Sequence, residues 1–148
     1  MKVSIIGQGY VGLSLAVSAA KAGHEVVGFD INPDLVAQLA AGNSHVEGVE
    51  LAGIANYQAT SHAAVIDGSD VVIIAVPTPL NSERKPDLSY LESACDIVVK
   101  NLKNKALIIN ESTSFPGTLR ELIAESIEKG SGLGHLYAAS PERVDPGN

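Results

Sequence analysis

The stretch Lys2-Val-Ser-Ile-Ile-Gly-Gln-Gly-Tyr-Val-Gly12 decides the fold. Val3 to Ile6 is apolar and mostly β-branched, as in a strand buried within a sheet. Gly7, Gly9 and Gly12 then follow in GxGxxG spacing. Gly7 serves the tight turn out of the strand. Gly9 lets the backbone come close to a phosphate, and Gly12 lets a helix pack closely on the sheet. Leu13, Ala16, Val17 and Ala20 recur at helical spacing, and Gly23 stands where a left-handed residue ends a helix. Glu25-Val-Val-Gly-Phe-Asp30 reads as a second parallel strand closing on an acid, about 20 residues beyond the glycines. A glycine turn alone can be a mere helix entry. Strand, turn, helix, strand and terminal acid together predict a pocket for a dinucleotide. Its diphosphate would rest on the free N–H groups and positive dipole end of the first helix, around Tyr10 and Val11.

Asp30 has a plainer reading, as a cap for the next helix. Asn32 followed by Pro33 already supplies an N-cap and an N1 proline. Asp30 is therefore expected to accept hydrogen bonds from a ribose 2′- and 3′-OH. Its charge would repel a 2′-phosphate by about 4 kcal/mol per unit of charge, at ~4 Å and an effective dielectric of ~20. No Arg between Ile31 and Leu35 offsets that. NAD rather than NADP is the expected cofactor.

The 148 residues suit one domain, and 45% hydrophobic content with few aromatics suits a core of Val, Ile, Leu and Ala. A formal net charge of −7 argues against nucleic acid and anionic membranes as partners. Met1-Lys2 leads directly into a strand, so no signal peptide is expected, and no apolar run approaches the ~20 residues that span a bilayer. The single cysteine, Cys95, allows no internal disulfide and fits a cytoplasmic location. His24, His45, His62 and His135 show no metal-ligand spacing, so no metal is expected.

Strands and helices alternate along the chain. The fold expected is an α/β, Rossmann-type doubly wound parallel sheet with helices on both faces. A helix is expected from Pro33 to Ala40, then a polar connection from Gly42 to Gly53. Tyr57 to Thr60 is a weak strand, Ser61 to Asp67 a short helix, and Asp70 to Val76 the strongest strand. Leu88 to Val99 reads as a helix with Leu91, Ala94, Cys95 and Val98 on one face, and Ala106 to Asn110 as a strand. Thr118-Leu-Arg-Glu121 has capping-box spacing at the start of another helix. Gly130 to Gly134 reads as a flexible connection, and His135 to Ala139 as the last strand.

Ligands of such sheets lie outside the carboxyl ends of the strands. The segments there are Gly7 to Val11, Asp30, Val76-Pro-Thr-Pro-Leu80, Asn110-Glu-Ser-Thr-Ser-Phe-Pro-Gly117 and Ser140-Pro-Glu-Arg143. Each can be an ordinary turn, since Pro and Ser are common there. Together they place hydroxyls, rigid prolines and charges at one sheet edge.

These motifs resemble, in order, those of the UDP-glucose/GDP-mannose dehydrogenase family: Gly7 to Leu13, Val76 to Leu80, Pro86-Asp-Leu-Ser-Tyr90, Glu111-Ser-Thr113 with Pro116-Gly-Thr118, and Ser140 to Arg143. The resemblance spans essentially the whole chain. The ending Pro141-Glu-Arg-Val-Asp-Pro-Gly-Asn148 is most similar to the branch acting on UDP-N-acetylhexosamines. The resemblance implies a four-electron oxidation that serves polysaccharide biosynthesis. The sugar C6 alcohol gives a hydride to NAD, a cysteine thiolate adds to the aldehyde, a second NAD takes a second hydride, and water releases a carboxylate. It also implies cofactor contacts at Gly7, Gly9, Tyr10, Val11, Gly12, Asp30, Val76, Pro77, Thr78, Ser112 and Thr113. Thr113 would position water near the reacting carbon and Glu142 would do acid–base work on it. Arg143 would face the substrate. A Thr hydroxyl is no base by itself, so a neighbour must take the proton.

The family's nucleophilic cysteine, with its Lys and Asn partners, lies in a later half not found in this chain. Cys95 sits on an apolar helix face and is no substitute. The chain is expected to be one cofactor domain that binds NAD but is inactive alone. The UDP-sugar would be shared with the carboxyl-terminal half, through which the intact enzyme is expected to form a homodimer. The alternatives are a stand-alone NAD-sensing module and the cofactor half of a 6-phosphogluconate-type hydroxyacid dehydrogenase.

Overall fold

The computed structural model describes residues 1–140. Six parallel strands are β1 (Lys2–Ile6), β2 (Glu25–Phe29), β3 (Tyr57–Thr60), β4 (Val71–Ile74), β5 (Leu107–Asn110) and β6 (Leu136–Ala139). Their spatial order is β3-β2-β1-β4-β5-β6. This is the doubly wound order, and its reversal point lies between β1 and β4. The helices are α1 (Tyr10–Lys21), α2 (Pro33–Ala40), α3 (Ser89–Asn101) and α4 (Glu125–Ser131). A 3-10 turn (Ala63–Ile66) precedes β4, and a π-helical segment (Thr118–Ala124) runs into α4.

Both faces of the sheet are covered. Ala16 and Ala20 of α1 pack on Val3, Ile5 and Val26. On the opposite face Leu91, Ala94, Cys95 and Val98 of α3, with Ile127 of α4, pack on Ile6, Val72, Ile74 and Ile108. Val72 and Ile74 are fully buried on this face, and Val71 and Ile73 pack against the α1 cluster on the other, which explains the unbroken apolar run of the central strand. Each such side chain contributes about 1.5–3 kcal/mol through burial. Ser4 interrupts the apolar run of β1 without cost. Its hydroxyl meets that of Ser69 at 2.7 Å, and Ser69 donates onward to the Ile66 carbonyl at 2.7 Å.

The ends of α1 and α2 follow the expected chemistry. Gly23, at φ +88°, turns the chain out of α1. Asn32 caps α2 by accepting from the N–H groups of Asp34 and Leu35, with Pro33 in the first turn.

Three expectations need correction. The Gly42 to Gly53 connection is not merely polar: Val46 and Leu51 are buried against Leu13, Val17 and Leu39. Thr118 makes no capping box. It lies inside the helical segment, 1% exposed, and donates its hydroxyl to the Phe115 carbonyl at 2.8 Å, while Gly117 takes the cap position at φ +100°. Gly130 and Ser131 belong to α4 rather than to a loop. A Cβ at Gly130 would stand 2.5 Å from Val99 Cγ1, so that glycine lets α4 lie close against α3.

Candidate functional site

A cleft of about 850 Å³ opens along the carboxyl ends of the strands, where the strand order reverses. That is the size of a cofactor site. Gly7, Gly9, Tyr10, Val11, Asp30, Val76, Pro77, Thr78, Ser112 and Thr113 line it. Ten positions from four separate segments of the sequence thus meet in one space.

The glycines do different work. Gly7 has φ +92°, and a Cβ there would lie 2.5 Å from the Ala75 carbonyl oxygen. Gly12 does not line the cleft. It is buried beneath the turn, where a Cβ would run into the Gly7 carbonyl oxygen. Its main role is therefore to fit helix to turn, with Ala75 Cβ, one residue past β4, further off at 3.5 Å. Gly9 is different again. Its φ of −69° suits any residue, and a Cβ would have nothing within 4 Å. Neither strain nor packing demands a glycine there. A Cβ would only fill the space before the first turn of α1, so the cradle fits a group that presses on the backbone. No side chain caps α1, and no acid stands in its first turn. Its leading N–H groups and dipole end are left to an anion. No Lys or Arg lines the cleft among the described residues, so main-chain N–H groups carry that task.

Asp30 is more engaged than its sequence position suggests. Oδ2 accepts the Gln8 N–H at 2.8 Å and Oδ1 accepts the Asn32 N–H at 2.9 Å. The carboxylate is thus oriented by one donor on each oxygen, and each oxygen retains a lone pair for a diol. The plainer reading of Asp30 is also true in part, because its bond to Asn32 shapes the entry to α2.

The loops after β4 and β5 are tied together. Ser112 donates to the Val76 carbonyl at 2.8 Å, so its hydroxyl proton is engaged by the neighbouring loop. Asn110 is 1% exposed, and its Nδ2 donates to the Ser112 carbonyl at 3.1 Å and Ser114 Oγ at 3.2 Å. That amide shapes the loop carrying Thr113, whose side chain is exposed in the cleft. Glu142 and Arg143 lie outside the described residues.

Sequence reading missed one wall. Ser93, Ala94 and Ile97 of α3 also line the cleft, beside Ser89 and Tyr90 of the motif Pro86 to Tyr90, to which no site role was given; Glu111, of the segment expected there, lines it too. The signal was present: Ser89, Ser93 and Ile97 repeat every four residues beside the apolar face. Cys95 looks the other way. It is 1% exposed, and burial, reinforced by Asp96 and Glu92, pushes its thiol up to about 12. Among the described residues no three His, Cys, Asp or Glu side chains gather as a metal would need.

The NAD binding domain of the UDP-glucose/GDP-mannose dehydrogenase family matches residues 1–148. The chain belongs to the UDP-glucose/GDP-mannose dehydrogenase family. The cofactor of this dehydrogenase domain is NAD. The chain is 37% identical over 155 residues to a UDP-N-acetyl-D-glucosamine 6-dehydrogenase of Pseudomonas aeruginosa, covering 100% of this chain and 36% of that protein. It is 37% identical over 158 residues to a UDP-N-acetyl-D-mannosamine dehydrogenase of Pyrococcus horikoshii, covering 99% and 37%. A solved structure of a Pyrococcus horikoshii UDP-D-ManNAc dehydrogenase superposes with a TM-score of 0.90 at 35% identity, over 99% of this chain and 37% of that one. The chain thus spans little more than a third of the length of the curated relatives it matches. The likeness to a Mycobacterium tuberculosis 3-hydroxyisobutyrate dehydrogenase, at 20% identity and a TM-score of 0.64, shows the shared fold alone.

Proposed function

We propose that this domain holds NAD for the oxidation of the C6 alcohol of a UDP-N-acetylhexosamine, or of a UDP-hexose, to a carboxylate with two NAD. The observation that carries it is the open cradle at Gly9, facing an uncapped helix start and an oriented Asp30. The names of the relatives support the choice of sugar.

NAD, when bound, supplies the hydride acceptor. The chain's own residues bind and orient. The turn from Gly7 to Gly12 and the N–H groups of Tyr10 and Val11 take the diphosphate. Asp30 takes the adenosine ribose. Val76, Pro77, Thr78 and Ser112 line the path to the redox end. Thr113 holds water near the reacting carbon, and Glu142 moves the proton that a Thr hydroxyl cannot take by itself. The thiolate step falls to a remainder of the protein beyond this domain, because Cys95 is buried and faces away. The same remainder would complete the UDP-sugar site and mediate a homodimer. The expected setting is cytoplasmic polysaccharide biosynthesis. Among the described residues no helix is long and apolar enough to cross a membrane.

Calorimetric titration with NAD, NADP and UDP-N-acetylglucosamine tests the reading. Saturable NAD binding with weak or absent sugar binding is expected, and no sugar-dependent NADH should form with this domain alone. Tight sugar binding without NAD binding would overturn it.

A further inference from the structure

Gln8 stands between two glycines of the turn, yet it is fully buried and touches no part of the cleft. A long polar side chain in that position calls for a reason. Its Nε2 donates to the carbonyls of Ile5 and Gly7, each at 3.1 Å. Both partners only accept, so the amide orientation is fixed and Oε1 points the other way. Oε1 accepts the Tyr57 hydroxyl at 2.9 Å. Tyr57 lies on β3, with β2 between it and the turn.

The bond crosses β2 at Gly28. A Cβ there would strike the Gln8 carboxamide, with Cδ at 2.6 Å, and Tyr57 Cε2 at 2.7 Å. Gly28 is not among the positive-φ glycines, so space alone demands it. Burial first, and the Asp30 charge second, hold the Tyr57 phenol far above its ordinary range, so it remains an O–H donor. The phenol and the carboxylate are therefore near enough to sense each other. Gln8 also orients that carboxylate directly, through its main-chain N–H at 2.8 Å.

We propose that Gln8 and Tyr57, in the gap left by Gly28, are positioning residues for the adenosine ribose: their hydrogen bond anchors the glycine turn to β3 and so holds Asp30 at the angle that accepts the diol. Neither side chain touches NAD. Without the Tyr57 hydroxyl, Gln8 Oε1 is a buried acceptor with no partner, and the turn shifts to relieve it. The inference rests on the reading that Asp30 binds the ribose.

Tyr57→Phe keeps the ring and removes the hydroxyl. NAD and its 2′-deoxyadenosine analogue are titrated by calorimetry into the unaltered protein and this variant, with melting curves for both. The expected result is a Kd for NAD raised about fivefold, the worth of one typical hydrogen bond. The preference for NAD over the deoxy analogue should shrink as well, because the shift of the turn carries the Asp30 contact with it. In an Asp30→Ala background Tyr57→Phe should cost less than it does alone. Gln8→Met, which keeps the volume, is read in the same way if Tyr57→Phe does not fold. Normal NAD binding by the unaltered protein, with a preference unchanged in the variants, overturns this inference alone. No NAD binding by the unaltered protein overturns the parent reading and this one with it.

Discussion

The main-chain N–H of Gln8 donates to the carboxylate of Asp30 at 2.8 Å, joining the glycine turn to the end of β2. Phosphate cradle and ribose acceptor are therefore one unit. An Asp30 substitution removes a ribose contact and also releases a donor within the turn.

Cofactor choice follows from that carboxylate. The unaltered protein should bind NAD at least 100-fold more tightly than NADP, within the about 4 kcal/mol that one like charge costs nearby. Asp30→Ala should weaken NAD and close most of the gap. Calorimetry with both dinucleotides measures it, and equal affinities in the unaltered protein would refute the assignment.

The glycines of the turn separate stability from binding. Gly12→Ala drives a methyl into the Gly7 carbonyl and should cost about 3 kcal/mol in urea unfolding. Gly9→Ala meets nothing and should cost about 1 kcal/mol or less, as a change of N-cap residue. Yet Gly9→Ala should lose NAD binding. A Gly9→Ala variant that binds normally would remove the case for a phosphate at that point.

Gly130 offers a test of packing. Helix propensity favours Gly130→Ala by about 1 kcal/mol, while the clash with Val99 costs about 1–3 kcal/mol. The clash should win, and the substitution should destabilise. In a Val99→Ala background the sign should reverse. Urea unfolding of the four proteins checks both statements.

Cys95 should resist thiol reagents in the folded protein at pH 8, because its thiol is buried and raised from 9.0 to about 12. The folded state holds that proton more tightly than the unfolded state. Stability is therefore fully present below about pH 9 and falls as pH rises toward about 12. Tyr57 is shifted in the same direction and steepens the fall. Cys95→Ala should flatten the early part of that decline, as read from urea midpoints across the alkaline range.

The doubly wound sheet was legible because its signals are local. Glycine spacing, apolar runs and the Asn32-Pro33 cap each act within a few residues. The cleft followed from the rule that ligands sit beyond the strand ends. What stayed hidden depends on contacts between distant elements. Gly130 reads as a loop glycine until Val99 is seen beside it. Gln8 reads as a variable position in the motif until Tyr57, 49 residues on, meets its side chain. The α3 wall was obscured because one helix face serves the core and the adjacent face serves the cleft. Thr118 and Glu121 have the spacing of a capping box, but a left-handed Gly117 occupies the cap.

The most direct measurement is a crystal structure of this chain soaked with NAD. The account predicts diphosphate oxygens within hydrogen-bond distance of the Tyr10 and Val11 N–H groups, over Gly9, with both adenosine ribose hydroxyls on Asp30. Density for NAD elsewhere, or a ribose turned away from Asp30, would contradict it.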